Sequence, residues 1–507
     1  MKNCLNRFVP EGFASFNGSN DYKNHISEYK KIPEKKKTSS YKTLGSIGEI
    51  FDYFNITNGS TLSFHHHLRN GDAVLNLVCE EIKKRDLKDI HLAASSLFPN
   101  NDLALHDLIV NQNITKITTN YLNGKTAELI GKGKLKELLV METHGGRARS
   151  IETGELKIDL AIIATPCVDK DGNGTGKEGK NACGVLGYAI PDLHYAKNVV
   201  LVTDTIKEKI ENPELSNEYV DGLLIIDSIG DKNGIVSGTT NITKDPVGLK
   251  IARDATKLLK ELGVIKNGFT MQTGAGGTSL AVASYIKKEM IENNIIGNFA
   301  SGGITGYYVD MLRNGLFEKL YDVQCFDLLA VESSLVDKNH IFMDASMYGN
   351  PYYNNPIVNG LDLVVLGATE IDLDYNVNVT TDSFGKIIGG SGGHSDTANG
   401  AKITMITTQL IKSRIPIIKE KVTTISTPGE DVDILVTERG ICINPKRQDL
   451  LQKLENSKLN IMKIEDLLKL SYEITTKPAN IERSNEVVGV VKYRDGTIID
   501  SIYKLKE

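Results

Sequence analysis

Short apolar runs recur along this chain and are separated by longer amphipathic stretches. The runs are continuous rather than alternating, are rich in Leu, Ile and Val, and stand at residues 138–141, 160–163, 199–202, 223–226 and 363–366. Strands that are buried on both faces show this pattern, because neither face of a covered parallel sheet meets solvent. We therefore predict parallel strands at these five positions.

The amphipathic stretches predict helices between the strands. Examples lie at residues 248–262, 279–293 and 307–320. Strands that alternate with helices of this length favour an α/β fold with mainly parallel sheets.

Two sequence patterns recur about 200 residues apart and in the same order. Residues 61–69 (TLSFHHHLR) precede a predicted helix at 72–84, and residues 269–274 (FTMQTG) precede another. Further on, residues 158–164 (IDLAIIA) match residues 361–367 (LDLVVLG). Chance resemblance between buried strands could explain either pair alone. It explains less easily why both pairs occur in the same order. A chain of 507 residues also exceeds one compact core. We predict two similar α/β domains, 43–240 and 241–507, with a site in the crevice between them.

Residues 1–42 differ from the rest of the chain. They are rich in Asn, Lys, Ser and Tyr, and the stretch 30–37 reads KKIPEKKK. We predict an extended N-terminal arm that becomes ordered only against a partner. The lysine run favours a solvated tail over a polyanion site.

Composition excludes several classes of function. A net charge of -5 gives no pull toward nucleic acid or anionic membrane, and the absence of Trp argues against base-stacking platforms. No apolar run is long enough to span a bilayer, and the first residues lack the apolar core of a signal peptide. None of the 6 cysteines forms a C-x-x-C pair. These features predict a cytoplasmic protein with no nucleic-acid or membrane partner.

The first glycine-rich loop lies at residues 270–279, where TMQTGAGGTS leads from a predicted strand into a helix. Free N–H groups in such a loop and at the helix N-terminus can hold an anion or a developing oxyanion. A simple tight turn explains the loop equally well. On the functional interpretation, Gly276 and Gly277 act in catalysis, and Gly274 and Gly276 bind a cofactor.

The second glycine-rich loop is residues 389–396, GGSGGHSD. Four glycines in five positions cost backbone entropy unless another group must approach closely. We predict that Gly389, Gly390, Gly392 and Gly393 bind the cofactor. Asp396 is expected first to cap the following turn and second to contact the ligand.

The order of these motifs is similar to that of the acetyl-CoA hydrolase/transferase superfamily. The segments that carry this resemblance are the first loop, 301–306 (SGGITG), 370–373 (EIDL), the second loop and 436–441 (VTERGI). The N-terminal half adds 64–72 (FHHHLRNGD), 143–149 (THGGRAR) and 180–184 (KNACG), and with them the chain resembles citrate lyase alpha subunits. The resemblance covers nearly the whole chain after the arm.

This resemblance implies two CoA-transferase-type α/β domains and a citrate CoA-transferase activity within citrate lyase. The implied reaction exchanges the acetyl group of an acetyl-thioester for citrate, giving a citryl-thioester and acetate. The implied cofactor is acetyl-CoA or the phosphoribosyl-dephospho-CoA group carried by an acyl carrier subunit. The implied partners are citrate, that acyl carrier (gamma) subunit and a citryl lyase (beta) subunit in an oligomeric complex. A thioester hydrolase and a non-catalytic acyl-CoA-binding assembly subunit are the alternatives.

The place of the expected nucleophile is informative. Many transferases of the superfamily carry a glutamate one helix and one strand after the first loop, and its carboxylate attacks the thioester. Here that place holds Gly302 and Gly303. The resemblance therefore implies a ternary complex in which a citrate carboxylate attacks the thioester directly and forms a mixed anhydride. We expect the two glycines to act in catalysis by leaving room for citrate, with rate supplied by proximity and oxyanion stabilisation.

Citrate carries three carboxylates and needs fixed positive charge. Arginine suits bidentate carboxylate binding, and two arginines lie in a predicted glycine-flanked turn. The predicted substrate-binding residues are His65, His66, His67, Arg69, His144, Arg147 and Arg149. Three consecutive histidines suggest a metal cluster, but adjacent strand residues point to opposite faces. We therefore predict that the chain binds no metal, and that at least one of these histidines is structural.

Overall fold

The computed structural model describes residues 1–38, 40–236, 241–477 and 484–506. No helix within these ranges has the length and hydropathy needed to cross a lipid bilayer. The α-helices are α1 Ile47–Tyr53, α2 Val74–Arg85, α3 Asp102–Val110, α4 Gly124–Gly131, α5 His144–Glu152, α6 Ile190–Tyr195, α7 Pro246–Glu261, α8 Gly277–Glu292, α9 Gly306–Arg313, α10 Leu328–Val336, α11 Ala345–Gly349, α12 His394–Gly400, α13 Gln448–Lys453 and α14 Ile464–Thr475.

The strands fall into two large sheets and several small ones. In chain order they are β1 Lys42–Leu44, β2 Thr61–Phe64, β3 Ile90–Ala94, β4 Ile114–Thr119, β5 Leu139–Met141, β6 Leu160–Ala164, β7 Cys167–Asp169, β8 Gly174–Thr175, β9 Asn198–Thr203, β10 Ile206–Lys207, β11 Gly222–Ile225, β12 Thr270–Thr273, β13 Gly297–Ile304, β14 Phe317–Cys325, β15 His340–Phe342, β16 Leu363–Leu366, β17 Glu370–Asp372, β18 Val377–Asn378, β19 Thr404–Thr407, β20 Ile411–Lys412, β21 Ile415–Pro416, β22 Ile418–Lys419, β23 Ile434–Val436, β24 Ile441–Ile443, β25 Val487–Lys492 and β26 Ile498–Tyr503.

The first large sheet has ten strands in the order β1-β11-β9-β6-β2-β3-β4-β5-β25-β26. Its neighbours pair in parallel except for the last hairpin, in which β26 runs antiparallel to β25. The second large sheet has eight strands in the order β15-β14-β13-β12-β16-β19-β23-β24, and only β24 is antiparallel to its neighbour. These parallel sheets confirm the predicted α/β fold.

The predicted internal repeat is confirmed by the pairing at the centre of each sheet. In the first sheet β2 pairs in parallel with β6, with Leu62 opposite Leu160. In the second sheet β12 pairs in parallel with β16, with Met271 opposite Leu363. The loop after β2 and the loop after β12 therefore occupy equivalent places at the carboxyl ends of the two sheets.

The five predicted strands are all present, and their side chains are largely buried as expected. One predicted helix is wrong in its second half. The stretch 307–320 begins as α9, but that helix ends at Arg313 and β14 begins at Phe317. Gly315 between them has φ +70, a left-handed conformation that ends a helix readily at glycine.

The N-terminal arm packs on its own chain, and the expectation that it needs a partner for order is therefore wrong. Asn3 Nδ2 donates to the Ile498 and Ile499 carbonyls on the outer edge of β26, at 3.0 and 2.8 Å. Phe16 is fully buried with its ring centroid 5.0 Å from that of Tyr493. Apolar burial and the open edge of β26 give the arm its place.

The lysine run of the arm is largely exposed, as expected, but ion pairs hold it to the rest of the chain. Lys31 lies 2.7 Å from Glu152, Lys37 lies 2.6 Å from Glu218, and Lys35 pairs with Asp221. These acidic partners belong to the same chain, so the run has local counter-ions.

The predicted division of the chain at residue 240 falls in 237–240, outside the described residues. The C-terminal hairpin β25–β26 joins the first sheet rather than the second. The predicted unit 241–507 therefore contributes strands to both large sheets, and the domain boundaries stay a prediction.

Candidate active site

The two halves of the chain meet beside the carboxyl ends of strands from both large sheets. Gln324 at the end of β14 donates from Nε2 to the His66 carbonyl, just after β2, at 3.0 Å. The Thr143 segment before α5 forms a parallel bridge with Gly392 of the second glycine loop. In open α/β sheets, ligands bind at the carboxyl ends of strands. We call this junction the inter-sheet site.

The histidine run directly follows β2, and all three side chains are buried. His66 Nδ1 lies 2.5 Å from Ser95 Oγ, and the ring centroids of His65 and His66 each lie about 6 Å from that of His67. Strand alternation does not separate these rings, because residues 65–67 lie beyond the end of β2. The run gathers instead on one side of the site.

Tyr188 stands at the centre of this aromatic cluster. Its ring centroid lies 4.4 Å from that of His144, 4.9 Å from that of His66 and 5.8 Å from that of His67. The short 3-10 turn that carries it approaches β14 closely, and a Cβ on Gly187 would lie 2.6 Å from the Val323 carbonyl oxygen. The Tyr188 hydroxyl forms no hydrogen bond to any described residue.

The imidazoles of His66, His67 and His144 are neutral hydrogen-bonding groups. Burial, with lesser contributions from His144, His67 and Arg69, holds the pKa of His66 well below its ordinary value. Burial lowers the pKa of His67 as well, and burial together with Arg147 lowers the pKa of His144 to about 3. Burial also raises the pKa of Tyr188 well above its ordinary range, so its phenol stays protonated.

The histidine run does not form a metal centre by itself. Within the described ranges, the only group of three or more potential ligands gathered closely enough for one ion is Asp322, Cys325 and His340. Cys325 Sγ and His340 Nε2 each form a hydrogen bond of 3.0 Å with Asp322 Oδ2. That the chain binds no metal stays a prediction.

Arg69 is the cation that faces the histidines without a counter-ion. Its guanidinium lies between two rings, with Cζ 4.8 Å from the Phe326 centroid and 5.4 Å from the Phe98 centroid. Its Nε and Nη1 atoms are shut off from solvent and have no hydrogen-bond partner in the described chain. Arg69 also has φ +53, a left-handed conformation that is rare for a residue with a side chain. Strain and an unmet charge at one residue are typical of a ligand site.

Arg147 has an internal partner, and its predicted position is corrected. It lies within α5 rather than in a turn, and its guanidinium donates to Asp192 Oδ2 at 2.9 Å and to Oδ1 at 3.1 Å. Although burial raises the pKa of Asp192, Arg147 and His65 together hold it below its ordinary value. His65 Nε2 lies 3.0 Å from the same carboxylate. In the structure, the partner of the Arg147 guanidinium is therefore the Asp192 carboxylate of this chain.

Arg149 points away from the inter-sheet site. It also lies on α5, where its Nη2 donates to Glu155 Oε2 at 2.5 Å. Lys492 of β25 pairs with the same Glu155 side chain. A helix turns by about 100° per residue, so positions 147 and 149 face different directions. Because the two arginines are close in sequence, we predicted a shared role in substrate binding. The helix directs their side chains to different surroundings.

The room that we expected above Gly302 and Gly303 is filled. A Cβ on Gly302 would lie 2.6 Å from the Gln272 amide, and one on Gly303 would lie 2.4 Å from the Phe326 ring. Gly302 has φ +109, and the register of β13 against β14 shifts between the two glycines. Close side chains of the protein therefore account for both glycines, and their catalytic role stays a prediction.

The first glycine loop stands at the carboxyl end of β12. Gly276 is exposed at the start of α8, has φ -72, and a Cβ there would meet nothing within 4 Å. None of Gly274, Gly276 and Gly277 has a positive φ. The α8 N-terminus has no side-chain cap in the described chain, so its first N–H groups are free for an anion.

The second glycine loop packs against the first half of the chain. The Gly392 carbonyl accepts from His144 N at 2.8 Å, and Gly392 has φ +50. A Cβ would lie 2.2 Å from the Asn120 carbonyl oxygen at Gly390, 2.2 Å from the Tyr348 hydroxyl at Gly393 and 2.6 Å from a backbone carbonyl at Gly389. Contacts within the chain therefore explain these glycines, and their cofactor role stays a prediction.

Asp396 caps a helix, but not the one that follows it in sequence. Its Oδ2 accepts from Gly145 N at 2.9 Å and its Oδ1 accepts from Thr143 Oγ1 at 2.8 Å. The carboxylate thus lies at the positive end of α5 and fixes the start of the helix that carries His144. Burial raises the pKa of Asp396 to about 6.

Three residues of the site escaped sequence reasoning. Tyr188, Gln272 and Tyr348 stand far apart in the chain, but Gln272 Nε2 donates to the Tyr348 hydroxyl at 2.9 Å beside Gly393. Only for Tyr188 was there a signal, the glycines at 184 and 187 that flank its segment.

The site combines one unpaired guanidinium, neutral imidazoles and a protonated phenol, a set suited to a small polycarboxylate.

Comparison with known proteins agrees with this geometry. The family described as "Citrate lyase, alpha subunit" matches residues 40–505. The citrate lyase alpha chain of Haemophilus influenzae is 41% identical over 486 residues, which cover 95% of this chain and 97% of that relative. The corresponding chain of Klebsiella pneumoniae is 42% identical over 452 residues, 89% of each.

A crystal structure of a citrate lyase alpha subunit from Streptococcus mutans, in complex with citrate, superposes with a TM-score of 0.94. It is 39% identical in sequence, and the match covers 100% of both chains.

Proposed function

This chain belongs to the family of citrate lyase alpha subunits, and from that membership we propose that it is the citrate CoA-transferase of a citrate lyase. It takes acetyl-thioester and citrate and gives citryl-thioester and acetate. The observation that carries this proposal is Arg69, whose Nε and Nη1 atoms are enclosed without a counter-ion in the described chain. It lies beside Tyr188 and the neutral imidazoles of His66, His67 and His144.

Citrate supplies the charge that Arg69 lacks. An unpaired buried cation is unfavourable, and a carboxylate that accepts from the guanidinium removes that penalty. The imidazole N–H groups of His67 and His144 and the Tyr188 phenol donate to the other carboxylates. His67 Nε2 and His144 Nδ1 are buried without partners in the described chain, so ligand oxygens can meet them. The citrate complex of the Streptococcus mutans relative supports this choice of ligand.

The chemistry proceeds without a carboxylate of the enzyme. A citrate carboxylate oxygen attacks the acetyl carbonyl, the C–S bond breaks, and the thiolate leaves with the electron pair. The product of this step is the mixed anhydride of citrate and acetate. The thiolate then attacks the citryl carbonyl, the bond from that carbonyl to the bridging oxygen breaks, and acetate leaves. Holding both substrates together supplies most of the rate enhancement.

The absence of a carboxylate at the expected place supports this direct route. A glutamate at position 302 or 303 would collide with Gln272 or Phe326. Three buried carboxylates near the site have partners within the chain: Asp192 is bound by Arg147, Asp396 by the start of α5, and Asp322 by Cys325 and His340.

The thioester substrate approaches from the first glycine loop. The free N–H groups at the start of α8 are placed to stabilise a carbonyl oxyanion or to hold an anion of the carrier. The thiol is that of CoA or of the phosphoribosyl-dephospho-CoA group on an acyl carrier subunit. A citryl lyase subunit then consumes the citryl-thioester within the same complex.

The experiment is a product assay with the full chain. Purified protein is mixed with acetyl-CoA and citrate, and citryl-CoA and acetate are measured together. Equal amounts of both products support the proposal. Acetate and free CoA without citryl-CoA would identify a thioester hydrolase, and no turnover with the acyl carrier subunit present would identify an assembly subunit.

A further inference from the structure

Asn120 places a buried oxygen acceptor in the inter-sheet site. It follows directly on the carboxyl end of β4 and is fully buried. Its Nδ2 donates to the Thr143 carbonyl at 2.6 Å, which fixes the orientation of the amide. Its Oδ1 then faces the other way and has no hydrogen-bond partner in the described chain. A buried acceptor without a donor is unfavourable and calls for an explanation.

The neighbours of Asn120 place it among the proposed citrate ligands. Its backbone N donates to the Ser95 carbonyl at 3.3 Å, and Ser95 Oγ lies 2.5 Å from His66 Nδ1. Its carbonyl accepts from Gly392 N at 3.3 Å, and the Gly392 carbonyl accepts in turn from His144 N. The amide therefore stands between the segments that carry His66 and His144.

The chemistry of the site distinguishes this group from its neighbours. Arg69, the imidazole N–H groups and the Tyr188 phenol are donors, and ionised carboxylates only accept. Fully ionised citrate has one donor, the hydroxyl on its central carbon. We propose that Asn120 Oδ1 accepts the hydrogen bond of the citrate hydroxyl and thereby selects a hydroxy-tricarboxylate over the same skeleton without the hydroxyl. This inference rests on the proposed function.

A site built to hydrogen-bond a substrate hydroxyl strongly rejects an analogue that lacks it, because the protein group is then left unpaired. The test analogue is propane-1,2,3-tricarboxylate, which keeps all three carboxylates. We expect the wild-type protein to favour citrate over this analogue by at least about 100-fold in kcat/KM.

The variant is Asn120→Ala. Its citrate kcat/KM is expected to fall about 10- to 100-fold while that of the analogue stays near the wild-type value, so that the preference shrinks by the same factor. The KM for acetyl-CoA stays unchanged. Asn113→Ala is the matched control, because Asn113 lies at the opposite end of β4 and both of its Nδ2 bonds reach groups outside the site. This control keeps the wild-type preference.

Several results would overturn the inference. If the wild-type protein uses citrate and propane-1,2,3-tricarboxylate equally well, that result alone overturns the inference. An Asn120→Ala protein that keeps the preference assigns the amide a structural role. If Asn120→Ala raises the KM for acetyl-CoA and keeps the preference for citrate, Asn120 Oδ1 accepts instead from an amide N–H of the CoA chain. If wild type makes no citryl-thioester from citrate, the proposed function itself fails, which is a separate outcome.

Discussion

Arg147 holds the Asp192 carboxylate through two hydrogen bonds of 2.9 and 3.1 Å, inside the first half of the chain. Both side chains are buried, and Ser63 Oγ adds a further contact to the guanidinium at 2.8 Å. A paired arginine has little to gain from a substrate carboxylate. Among the predicted substrate-binding arginines, the relationship therefore favours Arg69 over Arg147 as the cation of the proposed citrate site, because the Arg69 Nε and Nη1 atoms have no such partner in the described chain.

Arg147→Ala is expected to weaken the fold rather than citrate binding alone. Removal of Arg147 takes both guanidinium hydrogen bonds from the buried Asp192 charge and leaves His65 as its ionic neighbour, which costs up to about 3–5 kcal/mol. Urea unfolding measures this loss. The double variant Arg147→Met/Asp192→Leu should recover most of it, since the guanidinium and its carboxylate partner are then both replaced by apolar side chains. A stable Arg147→Ala protein with a selectively raised citrate KM would return Arg147 to the substrate site.

Arg69→Ala is expected to act in the opposite way. Citrate binding should weaken by about 2–5 kcal/mol, the scale for truncating a buried charge pair, while KM for acetyl-CoA stays constant. The unfolding free energy should hold or rise, because an unpaired buried cation is lost. Steady-state kinetics with each substrate varied, together with urea unfolding, test both parts.

Arg149→Ala is the comparison for Arg69. Arg149 pairs with Glu155 away from the site, so its loss should leave the citrate KM unchanged. A citrate KM that rises in Arg149→Ala and not in Arg69→Ala would mean that the tricarboxylate binds elsewhere.

The sequence predicted the framework well because continuous apolar strands are a local signal. The runs at 160–163 and 363–366 became β6 and β16, each beside the strand that the repeat assigned to it. Side-chain direction is not local in this way. Arg147 and Arg149 separate only because α5 begins at His144, and Tyr188 joins His66 only through the tertiary fold.

The N-terminal arm is a second feature whose tertiary contacts could not be predicted from the sequence. Its composition is that of a disordered tail, yet Phe16 and Val9 are fully buried on the C-terminal hairpin. A few buried apolar residues and the open edge of β26 are enough to order the arm, although its overall composition is polar. That edge cannot be identified before the order of the strands is known.

Gly276→Ala and Gly392→Ala separate a ligand contact from backbone strain. Gly276 has φ -72 and open space around it, so alanine there should change the unfolding free energy by less than about 1 kcal/mol. If the thioester approaches this loop, its KM should still rise roughly tenfold, about 1.4 kcal/mol. An unchanged KM would make the first loop a plain turn.

Gly392→Ala should instead lower stability by about 1–2 kcal/mol, because φ is +50 and the new Cβ would lie 3.3 Å from His144 Nε2. Thermal unfolding of both variants gives the comparison. Equal stability of the two would contradict the assigned backbone conformations.

The neutral state of His144 predicts a pH dependence of stability. Its folded pKa of about 3 lies below the ordinary 6.5, so the unfolded chain binds more protons between these values. Its contribution to stability is present above pH 6.5 and is lost as pH falls toward the folded pKa. The unfolding free energy of wild type, relative to His144→Asn, should therefore drop by about 1.4 kcal/mol per pH unit below 6.5. A difference that does not vary from pH 7 to 5.5 would mean that His144 charges freely.

Direct transfer also predicts that the enzyme carries no acyl group. Incubation with acetyl-CoA alone should release no acetate, and hydroxylamine or borohydride should then cause no inactivation. Initial-rate patterns should be sequential rather than ping-pong. A glutamyl adduct trapped on any residue, found by mass spectrometry of the digested protein, would contradict the direct route.

The most direct test follows one oxygen atom through a single turnover. Enzyme in excess over acetyl-CoA is mixed with citrate labelled with ¹⁸O in every carboxylate, and acetate is collected by rapid quench for mass spectrometry. Attack by a citrate carboxylate predicts that the first acetate released carries one ¹⁸O, because the bridging oxygen of the anhydride leaves with it. Unlabelled acetate in that turnover would contradict the account, since its new oxygen would then come from a carboxylate of the enzyme or from water.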